Sequence, residues 1–316
     1  MNRYEIFQRA FSKRAHLFSD PLTTAFRLFN GAADGIEGIA IDRYGEYCLV
    51  QTADPELTGH MPELLSCLCR AALLLPVEVK GILCKDRTKL MDAQKSAAQW
   101  RSRLVEGHMP PSPHLVLQDA IRAEVDLTEG QHTGLFLDMR TVRKRLAAYC
   151  PQFSTMLNLF CYTGMFSVHA LKHGVTRAVN IDLSKSTLAR VEKNYRHNGY
   201  DGDKKDLIYG DALQWMATFR RQGRKFSFAV FDPPLFARTK KGVFSIKKDF
   251  KQCLEVLQDL VPGGMALTVI HSPAITLEEY RSLHPQGWKL EFLEHESEDF
   301  ACADTPYLKA GLWKTG

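Results

Sequence analysis

Hydrophobic and polar positions in the middle of the chain predict a strand, a tight turn and a helix in direct succession. Residues 155–159 form a short apolar run, a Thr-Gly pair interrupts it at residues 163–164, and helical spacing follows to Leu171. A buried strand that breaks at a small-residue turn and continues as a helix is how a doubly wound sheet opens its ligand crevice. We therefore interpret residues 155–171 as the place where a cofactor binds.

Three later apolar segments each end in an aspartate, and these are Asp182, Asp211 and Asp232. The carboxyl ends of parallel strands share one edge of a sheet, so these acids are expected to line the same crevice. The alternation of strands and helices predicts an α/β fold with a Rossmann-like, doubly wound, mostly parallel sheet. Each aspartate alone could instead cap the helix that follows it, and this alternative stays open.

The N-terminal part of the chain carries a different pattern. Its apolar positions predict, in order, a helix at 4–11, alternating strands within 26–51, a helix at 61–75 and a strand at 81–85. Asn-Gly and Asp-Gly pairs mark turns between the strands. This order predicts a small α+β domain.

A proline-rich stretch follows that domain. Residues 106–115 contain Gly107 and three prolines, a composition that neither a helix nor a central strand tolerates. We therefore predict a small α+β domain at residues 1–108 and a Rossmann-like domain at residues 109–316.

Length and composition exclude several classes of protein. The chain has 316 residues, of which 45% are hydrophobic, so it can bury a substantial core and is not expected to be disordered. The strongest apolar run, residues 71–75, falls far short of the ~20 residues that a membrane span needs. The polar, basic N terminus lacks the apolar region of a secretory signal. We expect a cytoplasmic protein.

Cysteine and glycine patterns exclude two kinds of cofactor site. The eight cysteines include no Cys-x-x-Cys pair and the histidines form no cluster with metal-ligand spacing, so we expect reduced core thiols and no metal. No Gly-x-Gly-x-x-Gly motif occurs, which argues against a nicotinamide-dependent dehydrogenase.

Three motifs resemble those of class I S-adenosylmethionine-dependent methyltransferases. They are Gly-Leu-Phe-Leu-Asp-Met-Arg at 134–140, Asn-Leu-Phe-Cys-Tyr-Thr-Gly at 158–164 and Asp-Pro-Pro-Leu-Phe at 232–236. Within this class the chain is most similar to the bacterial group that modifies large-subunit ribosomal RNA, which includes a cytosine-C5 enzyme and a guanine-N7 enzyme. The resemblance runs from Phe26 to the last residue. It implies S-adenosylmethionine as cofactor and 23S ribosomal RNA as partner. It identifies the small domain with the middle domain of these proteins, leaves an RNA-binding role for that domain open, and leaves monomer and homodimer open.

Roles in the crevice follow from the pattern and the resemblance. We expect the methionine part of the cofactor beside residues 160–164, the ribose hydroxyls on Asp182 and the adenine amino group on Asp211. The resemblance adds Phe136 and Asp138, because their segment closes over the methionine end in the family. The predicted cofactor contacts are Phe136, Asp138, Asn158, Phe160, Tyr162, Thr163, Gly164, Asp182, Leu183, Asp211, Ala212 and Asp232.

The Asp-Pro-Pro-Leu-Phe motif supplies the predicted catalytic residues Asp232, Pro233 and Phe236. Two prolines after a buried strand stiffen the turn and give up backbone donors, a loss that makes sense if the turn presents Asp232 to a substrate. Asp232 is expected to orient the target base and Phe236 to stack on a base that is flipped out or single-stranded. As the alternative, Phe236 is a core aromatic beneath the loop.

The strand after this motif bears on which atom is methylated. Cytosine-C5 enzymes of the family carry a nucleophilic cysteine there, because a thiolate must add to the ring before C5 can react. Here Ile270 or His271 stands at that position, so we predict methylation of a purine nitrogen and keep cytosine-C5 as the alternative. His271 either contacts the base or is an ordinary loop histidine.

Basic residues flank the Asp-Pro-Pro turn on both sides. They are Arg220, Arg221, Arg224, Lys225, Arg238, Lys240, Lys241, Lys247, Lys248 and Lys251. The net charge of +5 is mild, but this distribution favours an RNA phosphate partner over a solvated helix face. Two other functions stay open, namely a methyltransferase for a small molecule or protein and a non-enzymatic RNA-binding assembly factor.

Overall fold

Two groups of strands and helices make up the fold. The computed structural model describes residues 2–54, 60–87, 100–239, 242–300 and 306–316. Contacts divide the chain into a first unit, Met1–Asp138 with Ser297–Ala303, and a second unit, Met139–Glu296 with Asp304–Gly316. Each unit contains a large sheet of its own.

A five-stranded sheet forms the centre of the first unit. Its strands in spatial order are β1 (Ala25–Asn30), β2 (Ile39–Tyr44), β3 (Tyr47–Thr52), β4 (Gly81–Asp86) and β5 (Arg103–Gly107). β3 and β4 pair in parallel, whereas the other neighbours are antiparallel. A parallel pair needs a crossover, and helix α2 (Met61–Ala72) lies between these two strands in the chain. The helices and strands predicted for this region are confirmed.

Two helices share a hydrophobic core with this sheet. Helix α1 (Arg3–Lys13) begins at a capping box in which Asn2 and Glu5 satisfy each other's backbone N–H groups. Phe7 of α1 and Leu68 of α2 are fully buried in the same cluster as the apolar side chains of β1. The first unit is therefore a helix-covered sheet of the α+β kind.

A hairpin of β6 (His114–Gln118) and β7 (Ile121–Val125) also belongs to the first unit. The backbone N–H of Thr24 donates to the carbonyl of Leu117 at 2.9 Å, which joins the hairpin to the segment before β1. The predicted domain boundary precedes this hairpin, whereas the contacts group residues 109–138 with the first unit. Local hydrophobic patterning does not predict this grouping, because the hydrogen bond that joins the hairpin to the unit connects residues far apart in the chain. The division into domains stays a prediction.

A seven-stranded sheet forms the centre of the second unit. Its strands in spatial order are β10 (Leu207–Tyr209), β9 (Arg177–Asp182), β8 (Thr155–Leu159), β11 (Phe228–Phe231), β14 (Met265–His271), β16 (Leu308–Lys314) and β15 (Lys289–Glu294). The five strands from β10 to β14 are parallel, and β16 is antiparallel to both of its neighbours. This arrangement confirms the predicted Rossmann-like sheet.

Helices cover both faces of that sheet. They are α3 (Arg140–Leu146), α4 (Met165–Lys172), α5 (Lys185–His197), α6 (Ala212–Arg221), α7 (Ile246–Leu260) and α8 (Leu277–Ser282). Met156 of β8 packs in the core with α3 and α4, and its neighbour Leu157 packs in the core with α6 and α7. Successive side chains of a strand point to opposite faces, so a continuous apolar run serves both cores. Between β11 and α7, strands β12 (Phe236–Thr239) and β13 (Gly242–Ser245) form a separate hairpin.

Candidate active site

The strand order of the second unit reverses between β8 and β11. From β8 the chain proceeds to β9 and β10, and it then returns to β11 and continues in the other direction to β14. The helices after β8 and β11 pack in different cores, which leaves a crevice at the carboxyl ends of the two strands. The predicted cofactor turn follows β8 and the Asp-Pro-Pro turn follows β11, so both lie at this edge.

The turn after β8 has an unusual backbone. Phe160 and Tyr162 have φ angles of +57° and +49° despite their bulky side chains, and Gly164 has +76°. Such conformations cost a non-glycine residue on the order of 1–3 kcal/mol and persist only where the surroundings hold them. A Cβ atom at position 164 would lie 2.7 Å from Cγ1 of Val191 on α5. Gly164 is therefore needed for helix packing, a reason additional to the predicted approach of the cofactor.

Asp182, at the end of β9, joins two turns. Its carboxylate accepts hydrogen bonds from the backbone N–H groups of Tyr162 at 3.0 Å and Ser184 at 2.9 Å. Burial raises the pKa of Asp182, and these backbone hydrogen bonds oppose the rise. An ionised carboxylate has about four acceptor positions, so Asp182 retains capacity to accept from a ribose diol. The adjacent Leu183 is exposed and offers an apolar surface.

Asp211 caps helix α6. Its Oδ1 accepts from the backbone N–H of Leu213 at 2.9 Å and more weakly from that of Gln214 at 3.4 Å, while Ala212 is buried. The capping role left open by the sequence is therefore present in the structure. It does not consume the whole carboxylate, so the contact of Asp211 with adenine stays a prediction.

Two predicted contacts, Asn158 and Thr163, are buried in the structure. The amide of Asn158 donates to Ser167 Oγ at 2.9 Å inside the unit, and the carbonyl of Thr163 accepts from Asn194 Nδ2 at 2.9 Å. Neither side chain offers surface to a ligand, and both support the turn. Their contact with the cofactor stays a prediction. Local apolar patterning cannot distinguish a polar side chain that faces a ligand from one that is satisfied within the core.

Phe136 and Asp138 belong to the first unit by their contacts. The Phe136 side chain is partly exposed, and its ring lies 5.4 Å from that of His132. The carbonyl of Asp138 accepts from the backbone N–H of Ser297 at 2.8 Å. Their predicted contact with the cofactor stays a prediction.

On the other side of the crevice, Asp232 pairs with a histidine. Its Oδ1 lies 3.1 Å from Nε2 of His271 at the end of β14, and the two side chains are 21% and 31% exposed. Pro233 is buried, whereas the Phe236 side chain is 71% exposed at the start of β12. The alternative of Phe236 as a core aromatic is therefore wrong, and the predicted catalytic residues form one turn with an acid and a free aromatic surface.

Two thiols of the second unit, those of Cys161 and Cys253, are poorly suited to nucleophilic attack. All seven described cysteines are free, and Cys302 lies outside the described residues. Burial raises the pKa of Cys253 to about 12 and that of Cys161 well above its usual value, and a carboxylate near each adds to the rise. The thiolate is the reactive form, so neither thiol is activated.

Basic residues before β11 contact neighbouring side chains, whereas the basic residues of α7 are exposed. Before β11, Arg220 forms a 2.6 Å ion pair with Asp259, and the guanidinium of Arg224 lies 4.3 Å from the ring centre of Phe219. On α7, by contrast, Lys247, Lys248 and Lys251 are exposed. Lys240 and Lys241 lie outside the described residues, and Arg238 lies on β12. Lysines of α7 are thus the better candidates for contact with phosphates.

Two residues at this edge carried little signal in the sequence. Ser184 caps α5 by accepting from Thr187 N–H and also donates to Asp182; a serine just after a strand-end acid is the pattern that could have revealed it. Lys309 is 2% exposed within β16, and its ammonium group donates to the carbonyl of Ser272 at 2.7 Å. A lysine in a strand is ordinarily expected to be exposed, so nothing in the sequence indicates this role.

Metal-binding clusters and helices of membrane-spanning length are both absent from the described ranges. Within them no group of three or more His, Cys, Asp and Glu side chains is placed to hold a metal ion. No helix there is both long enough and apolar enough to cross a membrane.

Known proteins are similar to this chain in sequence and in fold. The family model for "S-adenosylmethionine-dependent methyltransferase" matches residues 88–313. "Putative ribosomal RNA large subunit methyltransferase YwbD" of Bacillus subtilis (strain 168) is 32% identical over 284 residues, which cover 89% of this chain and 69% of that protein. "Ribosomal RNA large subunit methyltransferase I" of Pseudoalteromonas translucida (strain TAC 125) is 29% identical over 83% of this chain and 64% of that protein. The chain therefore spans about two thirds of the length of these relatives.

A solved structure agrees with the sequence relatives. The crystal structure of "SMU.776, a putative methyltransferase complexed with SAH" superposes with a TM-score of 0.87 at 26% identity, over 99% of this chain and 80% of that one. The similarity therefore extends over both units of the chain.

Proposed function

Because the chain belongs to the S-adenosylmethionine-dependent methyltransferase family, we propose that it methylates a purine nitrogen of large-subunit ribosomal RNA. The bound cofactor supplies an activated methyl group on a sulfonium centre. The task left to the protein is to hold donor and acceptor in line, and orientation of this kind can supply on the order of 7–11 kcal/mol.

The cofactor side of the crevice fits this donor. Asp182 is partly buried, held by backbone N–H groups and still able to accept from ribose hydroxyls. Leu183 offers apolar surface beside it, and the strained turn at residues 160–164 brings backbone to the switch point of the sheet. Asp211 at the end of β10 is proposed to receive the adenine amino group.

The proposal that the methyl acceptor is a nucleobase rests on the acceptor side of the crevice. A base presents a polar edge and two flat faces, and the turn after β11 presents a carboxylate and an exposed phenyl ring within five residues. Asp232 can accept from the N–H donors of the base edge, and Phe236 can stack on its face. Such contacts require that the base be flipped out or single-stranded.

Nitrogen is the favoured methyl acceptor because the thiols of Cys253 and Cys161 are not activated. Methylation at cytosine C5 needs a cysteine thiolate that adds to the ring. Burial raises the pKa of Cys253 and Cys161, which keeps both thiols protonated. A purine nitrogen has its own lone pair and needs no covalent intermediate.

Ribosomal RNA is the proposed substrate because two observations agree. The relatives with the matching sequence are named for methylation of large-subunit ribosomal RNA, and exposed lysines of α7 follow the acceptor turn closely in the chain. Lysines at such a position can hold phosphates of a strand whose base enters the crevice. We propose the 23S ribosomal RNA as the substrate and, because that RNA is assembled into ribosomes in the cytoplasm, a cytoplasmic site of reaction.

The test is to map modified nucleotides by mass spectrometry in ribosomal RNA from a strain that lacks the gene. We expect one methylated purine to disappear, to return on expression of the wild-type chain and to stay absent on expression of Asp232→Ala. Purified protein should then methylate the RNA of the deletion strain but not RNA of the wild-type strain, whose site is already modified.

Other outcomes of the same test would change the proposal. Loss of a 5-methylcytosine would establish the cytosine-C5 alternative. An unchanged RNA profile, together with methyl transfer to a protein or metabolite fraction, would move the substrate to another class. An unchanged profile without any transfer would favour an RNA-binding assembly factor.

A further inference from the structure

The ends of β11 and β14 bring an acid and a histidine together. The two strands are parallel neighbours, with Phe231 paired to Thr268, and β14 continues three residues farther to His271. Asp232 is the first residue after β11, so the extra length of β14 carries His271 alongside it. Oδ1 of Asp232 and Nε2 of His271 are 3.1 Å apart.

The chemistry of the pair defines which group donates. A carboxylate can only accept hydrogen bonds, so Nε2 of His271 carries the hydrogen and donates it to Oδ1. Oδ2 belongs to the same planar group, so the bond from His271 also limits rotation of the carboxylate. Both side chains remain partly exposed, 21% for Asp232 and 31% for His271, so a ligand can reach the pair.

The backbone on each side of the pair is held in place. Ser272, next to His271, donates its N–H to the carbonyl of Tyr307 at 2.7 Å, and its own carbonyl accepts from the buried ammonium of Lys309 at 2.7 Å. Burial of the amine lowers the pKa of Lys309. On the other side, the buried Pro233 fixes the backbone directly after Asp232.

A second histidine of the same unit shows what a purely structural role looks like. His284 is buried, its Nδ1 lies 2.9 Å from the carbonyl of Tyr280, and its Nε2 lies 2.8 Å from Oγ1 of Thr268. Both ring nitrogens serve the core. His271 differs because its partner is a predicted catalytic acid and because both side chains reach the surface of the crevice.

The geometry points to His271 as a positioning residue that fixes Asp232 for recognition of a base edge that presents N–H donors. This inference rests on the proposed function, and it specifies the acceptor: Oδ2 accepts from an amino or ring N–H group while the base is aligned for transfer. A base edge that presents only acceptors would face the carboxylate with like partial charge and would be rejected.

The test compares His271→Ala with His271→Gln, because the side-chain amide of glutamine can donate from a position near that of Nε2. We expect His271→Ala to lower kcat about tenfold at saturating RNA and cofactor, the value for loss of a hydrogen bond to a charged group. Calorimetric affinity for S-adenosylmethionine should stay within about twofold, since the cofactor side is untouched. His271→Gln should recover most of the lost rate. His197→Ala, at the last position of α5, is the matched control and should behave as wild type.

A combined variant tests whether His271 acts through Asp232. Added to Asp232→Ala, the His271→Ala change should lower the rate no further, because the group that it positions is gone. Wild-type kcat in His271→Ala would overturn the inference, as would equal loss in the Ala and Gln variants with melting temperature and cofactor affinity unchanged. If the wild-type chain binds cofactor but transfers no methyl group to RNA from the deletion strain, the proposed function fails and the inference falls with it. If wild type is active and His271→Ala is equally active, the inference alone fails.

Discussion

The two sides of the crevice in the second unit are built differently. On the cofactor side, Asp182 and Asp211 accept from main-chain N–H groups, including those of Ser184 and Leu213 two residues farther along the chain. On the acceptor side, Asp232 pairs with a side chain 39 residues away. The cofactor side is thus defined by backbone geometry before any ligand binds. The acceptor side depends on tertiary packing and keeps the aromatic surface of Phe236 exposed.

The largest predicted effect comes from a variant that should impair the acceptor side and leave the cofactor side unchanged. Asp232→Ala is expected to lower methyl transfer by about a hundredfold or more, because misplacement of the acceptor base alone can cost that much. Its affinity for S-adenosylmethionine should stay close to wild type. Methyl incorporation and calorimetry measure the two quantities independently. A parallel loss of cofactor affinity would show that Asp232 also contacts the cofactor, as its place among the predicted cofactor contacts implies, and that the two sides are not separate.

The reverse variant, Asp182→Ala, should affect the cofactor side. Loss of charge-assisted hydrogen bonds to the ribose, each about 1.5–3 kcal/mol, predicts cofactor binding weaker by about tenfold or more. Asp182→Asn keeps one acceptor and should lose less. Because Asp182 also accepts from the backbone of Tyr162, a melting curve must accompany the calorimetry. Unchanged affinity in a folded variant would remove Asp182 from the cofactor site.

Substitution of Phe236 tests whether its exposed ring stacks on a base of the RNA. Because its ring is 71% exposed, Phe236→Ala should leave the melting temperature unchanged. Loss of one base stack, about 1 kcal/mol at the low end, predicts a rise of about fivefold in KM for RNA. Phe236→Tyr keeps the aromatic face and is the control. A Tyr variant as impaired as the Ala variant would argue against stacking.

The exposed lysines of α7 should contribute a smaller effect that depends on salt. The double reversal of Lys247 and Lys248 to Glu is expected to weaken RNA binding and to lower its salt slope by about 0.7–0.9 for each phosphate that is no longer bound. The same reversal at Lys204 and Lys205 is the matched control, because these lysines precede β10 and so lie at the amino end of that strand, away from the crevice. Filter binding over a salt series measures both. Equal slopes in the two double variants would identify the lysines of α7 as a solvated helix face.

The smallest effect is expected at Cys253. Its thiol stays protonated at neutral pH because burial raises its pKa to about 12, so Cys253→Ala should leave methyl transfer unchanged. RNA that contains 5-fluorocytosine should not form a covalent complex with either protein. A cofactor-dependent shifted band on a denaturing gel would instead revive the cytosine-C5 alternative.

The cofactor side was largely predictable because its determinants are local. The strand at 155–159, the break before Gly164 and the helix that follows are adjacent in the chain, so periodicity and one glycine suffice to predict them. Asp182 and Asp211 could be placed at the crevice because each ends a predicted strand, and the carboxyl ends of parallel strands share one edge of the sheet. What local patterning could not predict was that the side chain of Asn158 faces the interior, since its partner Asn180 belongs to the neighbouring strand.

The acceptor side was predictable only as separate pieces. The motif at 232–236 predicted an acid and an aromatic residue in one turn, but the sequence does not give the strand register that brings His271 to Asp232. The buried position of Lys309 depends in the same way on pairing between β14 and β16. Similarly, the hairpin of β6 and β7 joins the first unit through bonds to residues far earlier in the chain. Register and long-range pairing are tertiary properties, and periodicity does not determine them.

The two edge strands of the seven-stranded sheet also limit how copies of the chain can associate. An exposed edge is a template onto which another strand can add, and short or charged edges oppose such addition. Here β10 has only three residues, whereas β15 carries exposed Lys289 and Glu291 and an irregular register near Phe292. Neither edge offers a long, regular and apolar row of free backbone groups. Growth of this sheet into a continuous intermolecular sheet, and the aggregation that follows from it, is thereby disfavoured at both ends.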